Sequence, residues 1–92
     1  AALVRGARAA TDRPIFVKLS PTLGAGIADT ARVAVDNGAT GLTLVNTMPG
    51  LVVDTARRRP RISFGSGGIS GPALLPIGVL ATWRVSRALP DV

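Results

Sequence analysis

Two short runs of β-forming apolar residues, separated by one helical segment, constrain the fold of this chain more than any other feature. The first run, residues 15–19, lies between two prolines, and we expect it to form a strand that is buried on both faces. The second run, residues 40–45, ends in Asn46 and Thr47. Between the two runs, apolar residues recur at the spacing of one helical face at Ile27, Ala31, Ala34 and Val35. This order predicts a βαβ unit with parallel strands and a right-handed crossover.

Further helices are predicted on both sides of this unit. The alanine-rich residues 1–10 indicate the end of a helix, and Asn37-Gly38 supplies a left-handed stop after the central helix. A glycine-rich turn precedes the last helix, which holds Pro72 in its first turn and runs to about residue 89. We expect this last helix to be buried through one stripe and to turn two arginines towards water. The stripe is Leu75, Val79, Leu80 and Trp83, and the arginines are Arg84 and Arg87.

The length of the chain indicates the architecture to which the βαβ unit belongs. Two parallel strands cannot close a sheet, and a complete (β/α)8 barrel needs about 250 residues, whereas this chain has 92. The last residues also repeat the order of helix, proline and apolar residue that precedes the first strand. We therefore expect an α/β fold: residues 1–92 as part of a (β/α)8 TIM barrel, with about two parallel strands and three helices, incomplete at both ends.

Composition excludes several kinds of catalytic site. The chain has no cysteine and no histidine, so a Ser-His-Asp or Cys-His site, a zinc site and an iron–sulfur site cannot be built from it, and we expect no metal ligands. The groups that remain for proton transfer are five acidic residues and the single lysine, Lys18. A complete acid–base mechanism would need residues from elsewhere.

Eleven basic residues against five acidic residues give a net charge of +6, almost all of it from arginine. Only the arginines within residues 57–61 cluster, and we interpret this cluster as a solvated loop. Aromatic residues make up 3% of the chain, which leaves almost no stacking surface for nucleic acid. The most apolar stretch, residues 69–83, is interrupted by glycine and proline and is too short to span a membrane, so we expect a buried helix there.

Three polar or glycine-rich features follow the predicted strands, at the edge where parallel α/β folds bind ligands. Lys18 lies at the end of the first strand, where it would meet an anion or a flavin, or else reach solvent or an aspartate. Asn46 and Thr47 follow the second strand and suit a planar heterocycle, although taken alone they are more typical of a turn. The glycine-rich turn before the last helix permits close approach of the backbone to a ligand.

These residues occur in an ordered series of motifs that resembles the class-one dihydroorotate dehydrogenases, especially the NAD-linked type. The series covers nearly the whole chain. It comprises Val17-Lys18-Leu19-Ser20-Pro21, then Gly41 to Thr47 with Pro49-Gly50 and Asp54, then Arg59-Pro60, then Gly67-Gly68-Ile69-Ser70-Gly71-Pro72-Ala73.

The resemblance implies an FMN-containing barrel in the cytoplasm that oxidises dihydroorotate to orotate in pyrimidine biosynthesis. Lys18 would contact FMN, Val45 would contact it through its backbone, and Gly71 would lie against it. Asn46 and Thr47 would hold the pyrimidine. The catalytic base, a Cys or Ser on an earlier loop, has no counterpart here, so we expect no catalytic residue in this chain and no activity from it alone.

The resemblance also implies partners and leaves alternatives. We expect a homo-oligomer and an electron-transfer subunit with FAD and an iron–sulfur cluster. We expect no nucleic-acid partner and no membrane association. The pyrimidine-binding domain of a dihydropyrimidine dehydrogenase has similar motifs. A non-catalytic module that binds nucleic acid through residues 57–61 is the alternative of a different class.

Overall fold

A computed structural model describes all 92 residues, as three α-helices and three pairs of short strands. The helices are α1 (Ala2–Ala10), α2 (Ile27–Asp36) and α3 (Leu75–Ala88), and 3-10 turns at Pro21–Gly26 and Pro72–Leu74 precede the last two. The strands are β1 (Phe16–Leu19), β2 (Gly41–Leu44), β3 (Met48–Gly50), β4 (Val53–Asp54), β5 (Arg59–Pro60) and β6 (Gly67–Ile69).

The βαβ unit is confirmed as a parallel strand pair joined by α2. β1 and β2 pair from Phe16 opposite Gly41 to Leu19 opposite Leu44. Because the strands are parallel and in this register, side chains of paired residues share a face of the sheet. Their carboxyl ends therefore lie at one edge.

The expectation that β1 is buried on both faces is wrong. Leu19 is buried and Val17 is half-buried against the core formed with α2 and α3, whereas Phe16 is 66% exposed and Lys18 is also exposed. The alternation arises because both helices pack against one face of the two-stranded sheet and nothing covers the other. We call the uncovered face, which carries Phe16, Lys18 and Thr43, the open face of the sheet.

Helix α2 follows its predicted pattern. Ile27, Ala31 and Ala34 are buried. The helix ends in a Schellman motif: the amide of Gly38 donates to the carbonyl of Val35 at 2.9 Å, and the amide of Ala39 donates to the carbonyl of Ala34 at 3.1 Å. Gly38 adopts a φ of 103°, so the predicted left-handed stop is confirmed.

Replacing Gly38 with alanine in the full-length protein should lower the free energy of unfolding by about 1–2 kcal/mol, because a non-glycine residue is strained at positive φ. The new Cβ would also lie 2.8 Å from Cγ of Arg8, which must move. Gly6→Ala is the matched control, because Gly6 lies within α1 with no atom within 4 Å of a Cβ. If denaturant unfolding showed equal stability for the two variants, this result would contradict the left-handed conformation of Gly38.

The predicted buried stripe of α3 is wrong. Its members are exposed, with Leu75 at 70% and Trp83 at 56%, and the buried residues are Ala81 and Val85. α3 packs on α2 and the sheet through this small-residue face because alanine lets the two helices approach closely, with Ala31 on the α2 side. The apolar stretch 69–83 is therefore not a buried helix. We call the exposed stripe of Leu75, Val79, Leu80 and Trp83 the outer face of α3.

The two arginines of α3 differ in their exposure to solvent. Arg87 is exposed as predicted, and its guanidinium lies 5.3 Å from the centroid of the Trp83 ring, a cation–π contact. Arg84 is half-buried rather than turned fully to water. No helix of the structure combines the length and the apolar character that crossing a membrane requires.

Residues 48–69 form an antiparallel ribbon, which we call the arm. β3 pairs with β6 from Met48 opposite Ile69 to Gly50 opposite Gly67, and β4 pairs with β5 further out. A turn at residues 55–58 forms the tip, where the amide of Arg57 donates to Oδ1 of Asp54 at 2.9 Å. The sequence predicted a long loop that extends over the strand ends here, but it did not predict that this segment forms strands.

The core is small for a chain of this length. Nine of 92 residues are buried, and the radius of gyration is 16.4 Å. A compact domain of this length would have a radius of about 12 Å. The structure is therefore a layered α/β unit that leaves one sheet face and one helix face uncovered.

Candidate functional site

The edge where β1 and β2 end carries the polar residues singled out in the sequence. Lys18 pairs with Thr43 across the two strands, and both side chains lie on the open face. Lys18 forms no ion pair, since the only salt bridge in the structure joins Arg57 to Asp54. Its ammonium group is thus free to meet a ligand at this edge.

Asn46 is tied to the end of β1 by a main-chain hydrogen bond. Its amide donates to the carbonyl of Leu19 at 2.9 Å, which extends the contact between the two strands by one residue. The side chain of Asn46 is exposed and unbonded. The bond fixes the backbone of Asn46 close to that of Lys18, with the amide group of its side chain available to a ligand.

Thr47 lies against the backbone of β6 at Gly68. A Cβ built on Gly68 would lie 2.7 Å from Cβ of Thr47, closer than real side chains approach each other. Only glycine at this position leaves room for Thr47, so Gly68 positions the side chain that follows β2. In the sequence, the two adjacent glycines are the only signal of this role of Gly68, which the motifs did not predict.

Gly71 adopts a φ of 96° where the arm returns to the last helix, and no atom lies within 4 Å of a Cβ built on it. It lines an open apolar groove together with Val45 and with Leu75, Val79 and Trp83 of α3. The peptide bond between Leu44 and Val45, at the head of this groove, is cis. Space is therefore present beside both Val45 and Gly71.

The structure brings the five predicted site residues to one region, in two groups. Val45 and Gly71 line the apolar groove, whereas Lys18, Asn46 and Thr47 lie outside it. Thr43 joins Lys18 on the open face, and the period-two alternation of the second strand could have identified it. The arrangement offers a cation, an amide and two hydroxyl groups beside space for a flat ligand.

The comparisons with known proteins agree with the motifs. The family model described as dihydroorotate dehydrogenase matches residues 1–91. The dihydroorotate dehydrogenase B (NAD(+)) catalytic subunit of Solidesulfovibrio magneticus is 45% identical over 80 residues, which cover 87% of this chain and 26% of that protein. The protein of the same name from Cutibacterium acnes is 45% identical over 87 residues, or 95% of this chain and 28% of that protein.

A third relative shows that the similarity is not confined to one type. This Solibacter usitatus protein, provisionally named as the fumarate-linked A type of dihydroorotate dehydrogenase, is 46% identical over 89 residues, which cover 97% of this chain. The chain spans less than a third of the length of these relatives, between 26% and 29%. Neither the dihydropyrimidine dehydrogenase nor the nucleic-acid alternative is favoured by these matches. The family model and the relatives together show that the chain belongs to the dihydroorotate dehydrogenase family.

Proposed function

We propose that this chain is an internal part of an FMN-dependent (β/α)8 barrel that oxidises dihydroorotate to orotate in pyrimidine biosynthesis. The observation that carries the proposal is the shared edge of the parallel strands, where Leu19, the residue after Lys18, accepts a hydrogen bond from the amide of Asn46 and Thr47 comes next in the chain. The open face of the sheet and the outer face of α3 support the barrel, since an uncovered sheet face and helix face are what a slice of a closed barrel would leave.

The residues present fit a flavin. Lys18 provides an unpaired cation on the open face, and Gly71 provides space that any side chain would fill. Val45 adds main-chain groups beside that space. Lys18, Val45 and Gly71 would hold the cofactor, with the positive charge of Lys18 stabilising negative charge on the ring. Flavin, when bound, supplies the acceptor for the hydride that leaves dihydroorotate.

Asn46 and Thr47 would hold the substrate. A pyrimidine ring with alternating carbonyl and N–H groups needs both donors and acceptors, which the amide of Asn46 and the hydroxyl of Thr47 provide. The main-chain bond of Asn46 to Leu19 and the close packing of Thr47 on Gly68 limit the movement of both residues. Fixed orientation of a substrate is worth a large part of a catalytic rate enhancement.

The remaining features of the proposed enzyme lie outside this chain. The base that removes the proton from dihydroorotate would come from another segment, because the resemblance places it, as a Cys or Ser, on an earlier loop of the barrel. The same proposal includes an NAD-linked reaction and an electron-transfer subunit with FAD and an iron–sulfur cluster. It also includes a homo-oligomer and a cytoplasmic location. The word "subunit" in the names of the NAD-linked relatives supports a partner protein.

The full-length protein is expected to purify with a flavin absorbance band that is bleached when dihydroorotate is added without oxygen. Dihydrouracil serves as the control, because it lacks the carboxylate of dihydroorotate and is the reduced product that the dihydropyrimidine dehydrogenase alternative would form from uracil, so it tests that reaction in reverse. Bleaching by dihydrouracil alone, or a colourless protein that does not respond to dihydroorotate with added FMN, would contradict the proposal.

A further inference from the structure

The tip of the arm carries a concentration of positive charge that the proposed site does not use. Four of the chain's arginines lie within five residues of each other, at positions 57, 58, 59 and 61. One acidic residue, Asp54, accompanies them. The tip lies beyond β4 and β5, at the opposite end of the arm from Thr47 and Gly68. Its charge therefore needs an explanation separate from flavin or pyrimidine binding.

The carboxylate of Asp54 is already engaged. Its Oδ1 accepts a hydrogen bond from the main-chain amide of Arg57 at 2.9 Å, and its Oδ2 lies 3.9 Å from Nε of Arg57. Arg59 and Arg61 form no ion pair and no side-chain hydrogen bond in the structure. Two guanidinium groups with all of their N–H donors free thus flank Pro60.

These two arginines line a shared recess. Its volume is about 650 Å³, and Ser63 and Arg57 complete its polar wall, while Pro60, Ala56 and Asp54 form the rest. The backbone is held there by β4 and β5 and by the amide of Arg61, which donates to the carbonyl of Val52 at 2.8 Å. Arg58, with a φ of 50°, does not line the recess. The structure thus separates arginines that face the recess from one that does not.

The chemistry of the recess selects its ligand. Guanidinium groups bind phosphate oxygens through two parallel hydrogen bonds, and a recess with several arginines and one hydroxyl matches an anion that has several oxygens. A recess of this volume lies in the range of small-molecule sites and exceeds the needs of one carboxylate. Nucleic acid is a poorer match, because bases need aromatic stacking partners and none lines the recess.

We infer that the recess of the arm tip binds a small phosphate-bearing anion, with Arg59 and Arg61 as its principal ligands and Ser63 as a further donor. The ligand class is a diphosphate group, either free or as part of a nucleotide. The inference does not depend on the proposed dehydrogenase reaction, because the recess shares no residue with that site.

Calorimetric titration of the full-length protein with inorganic pyrophosphate tests the inference. One pyrophosphate should bind per chain, and Arg59→Ala and Arg61→Ala should each weaken binding at least tenfold. Arg58→Ala removes the same charge beside the recess and should change binding less than twofold. Arg59→Lys retains the charge without the planar fork and should give an intermediate loss. Thermal unfolding of each variant verifies that it is folded.

Parallel titrations distinguish the sources of the anion. Binding of a nucleoside diphosphate more tightly than pyrophosphate would identify a nucleotide ligand, and the reverse would identify the free anion; either supports the site. Absence of pyrophosphate and nucleotide binding at millimolar concentration would overturn the inference. So would equal weakening by Arg58→Ala and Arg59→Ala, or binding of a single-stranded oligonucleotide alone, since both indicate diffuse attraction to charge.

Discussion

Replacing Lys18 with alanine in the full-length protein should slow the reduction of bound flavin by dihydroorotate roughly 100-fold, or cause the flavin to be lost on purification. Lys18 is the only lysine of the chain, it forms no ion pair, and it lies on the open face of the sheet at the edge that Asn46 and Thr47 share. Its loss would remove the one positive charge placed to stabilise a reduced flavin. Stopped-flow absorbance of the flavin band measures the rate, and the ratio of visible to ultraviolet absorbance measures flavin content.

Arg13→Ala is the matched control for this variant. Arg13 is an exposed cation in the loop that precedes β1, at the amino end of the strand whose carboxyl end holds Lys18. Removing its side chain changes the net charge equally but leaves the proposed site intact, so the flavin content and reduction rate should be those of the parent. If Lys18→Ala also behaved like the parent in both measurements, Lys18 would have no role in the site.

Replacing Gly68 with alanine should reduce kcat/KM for dihydroorotate roughly 100-fold, the scale of loss that follows a displacement of about 1 Å in a catalytic site. The new methyl group would lie 2.7 Å from Cβ of Thr47, an atom fixed to the backbone, so the segment after β2 has to move. Flavin content should change little, because Gly68 does not line the groove of Val45 and Gly71. Steady-state kinetics, together with the flavin spectrum, separates these two effects.

The neighbouring Gly67→Ala variant provides the comparison. Its Cβ would meet only Cδ1 of Ile62, at 2.8 Å, and that atom is the flexible end of an exposed side chain. Gly67→Ala should therefore retain most of the activity, although it lies in the same strand. Equal losses from both substitutions would show that neither glycine of β6 tolerates a side chain and would contradict a specific role of Gly68 towards Thr47.

The local pattern of the sequence predicted the βαβ unit because each of its elements is determined by nearby residues. The spacing of Ile27, Ala31 and Ala34 follows the helical period, and Gly38 supplies a conformation that other residues rarely adopt. The burial of β1 was mispredicted because Phe16 and Val17 are both apolar. Hydrophobicity alone does not tell which face of a strand the helices cover.

The outer face of α3 shows a similar limit. Its large residues form a regular stripe, and the sequence predicted that this stripe is buried, but the helix packs through Ala81 and Val85. Close packing against α2 depends on small side chains, which a ranking by hydrophobicity places below Leu75 and Trp83. The strands of the arm were not predicted, for a different reason. Two of them contain proline, a residue that is typical of turns and rare within strands.

For the candidate site, the sequence predicted the residues but not their arrangement. Lys18, Asn46 and Thr47 were expected at strand ends, and the register of β1 and β2 places them at one edge. The bond from Asn46 to Leu19 and the contact of Thr47 with Gly68 join residues that are 27 and 21 positions apart. Long-range contacts of this kind are set by tertiary packing, on which a single sequence carries little information.

The pairing of Met48 with Ile69 gives the arm a property that concerns its evolution. Because the first and last residues of the arm lie opposite each other in the β3–β6 pair, the chain enters and leaves the arm at one point, between β2 and the turn before α3. Residues can be added or deleted at the tip, at positions 55–58, without a change in the spacing of β2 and α3, since lengthening such a closed loop has a small entropic cost. The arm is thus the part of this chain whose length can diverge between homologues while the strand edge stays the same.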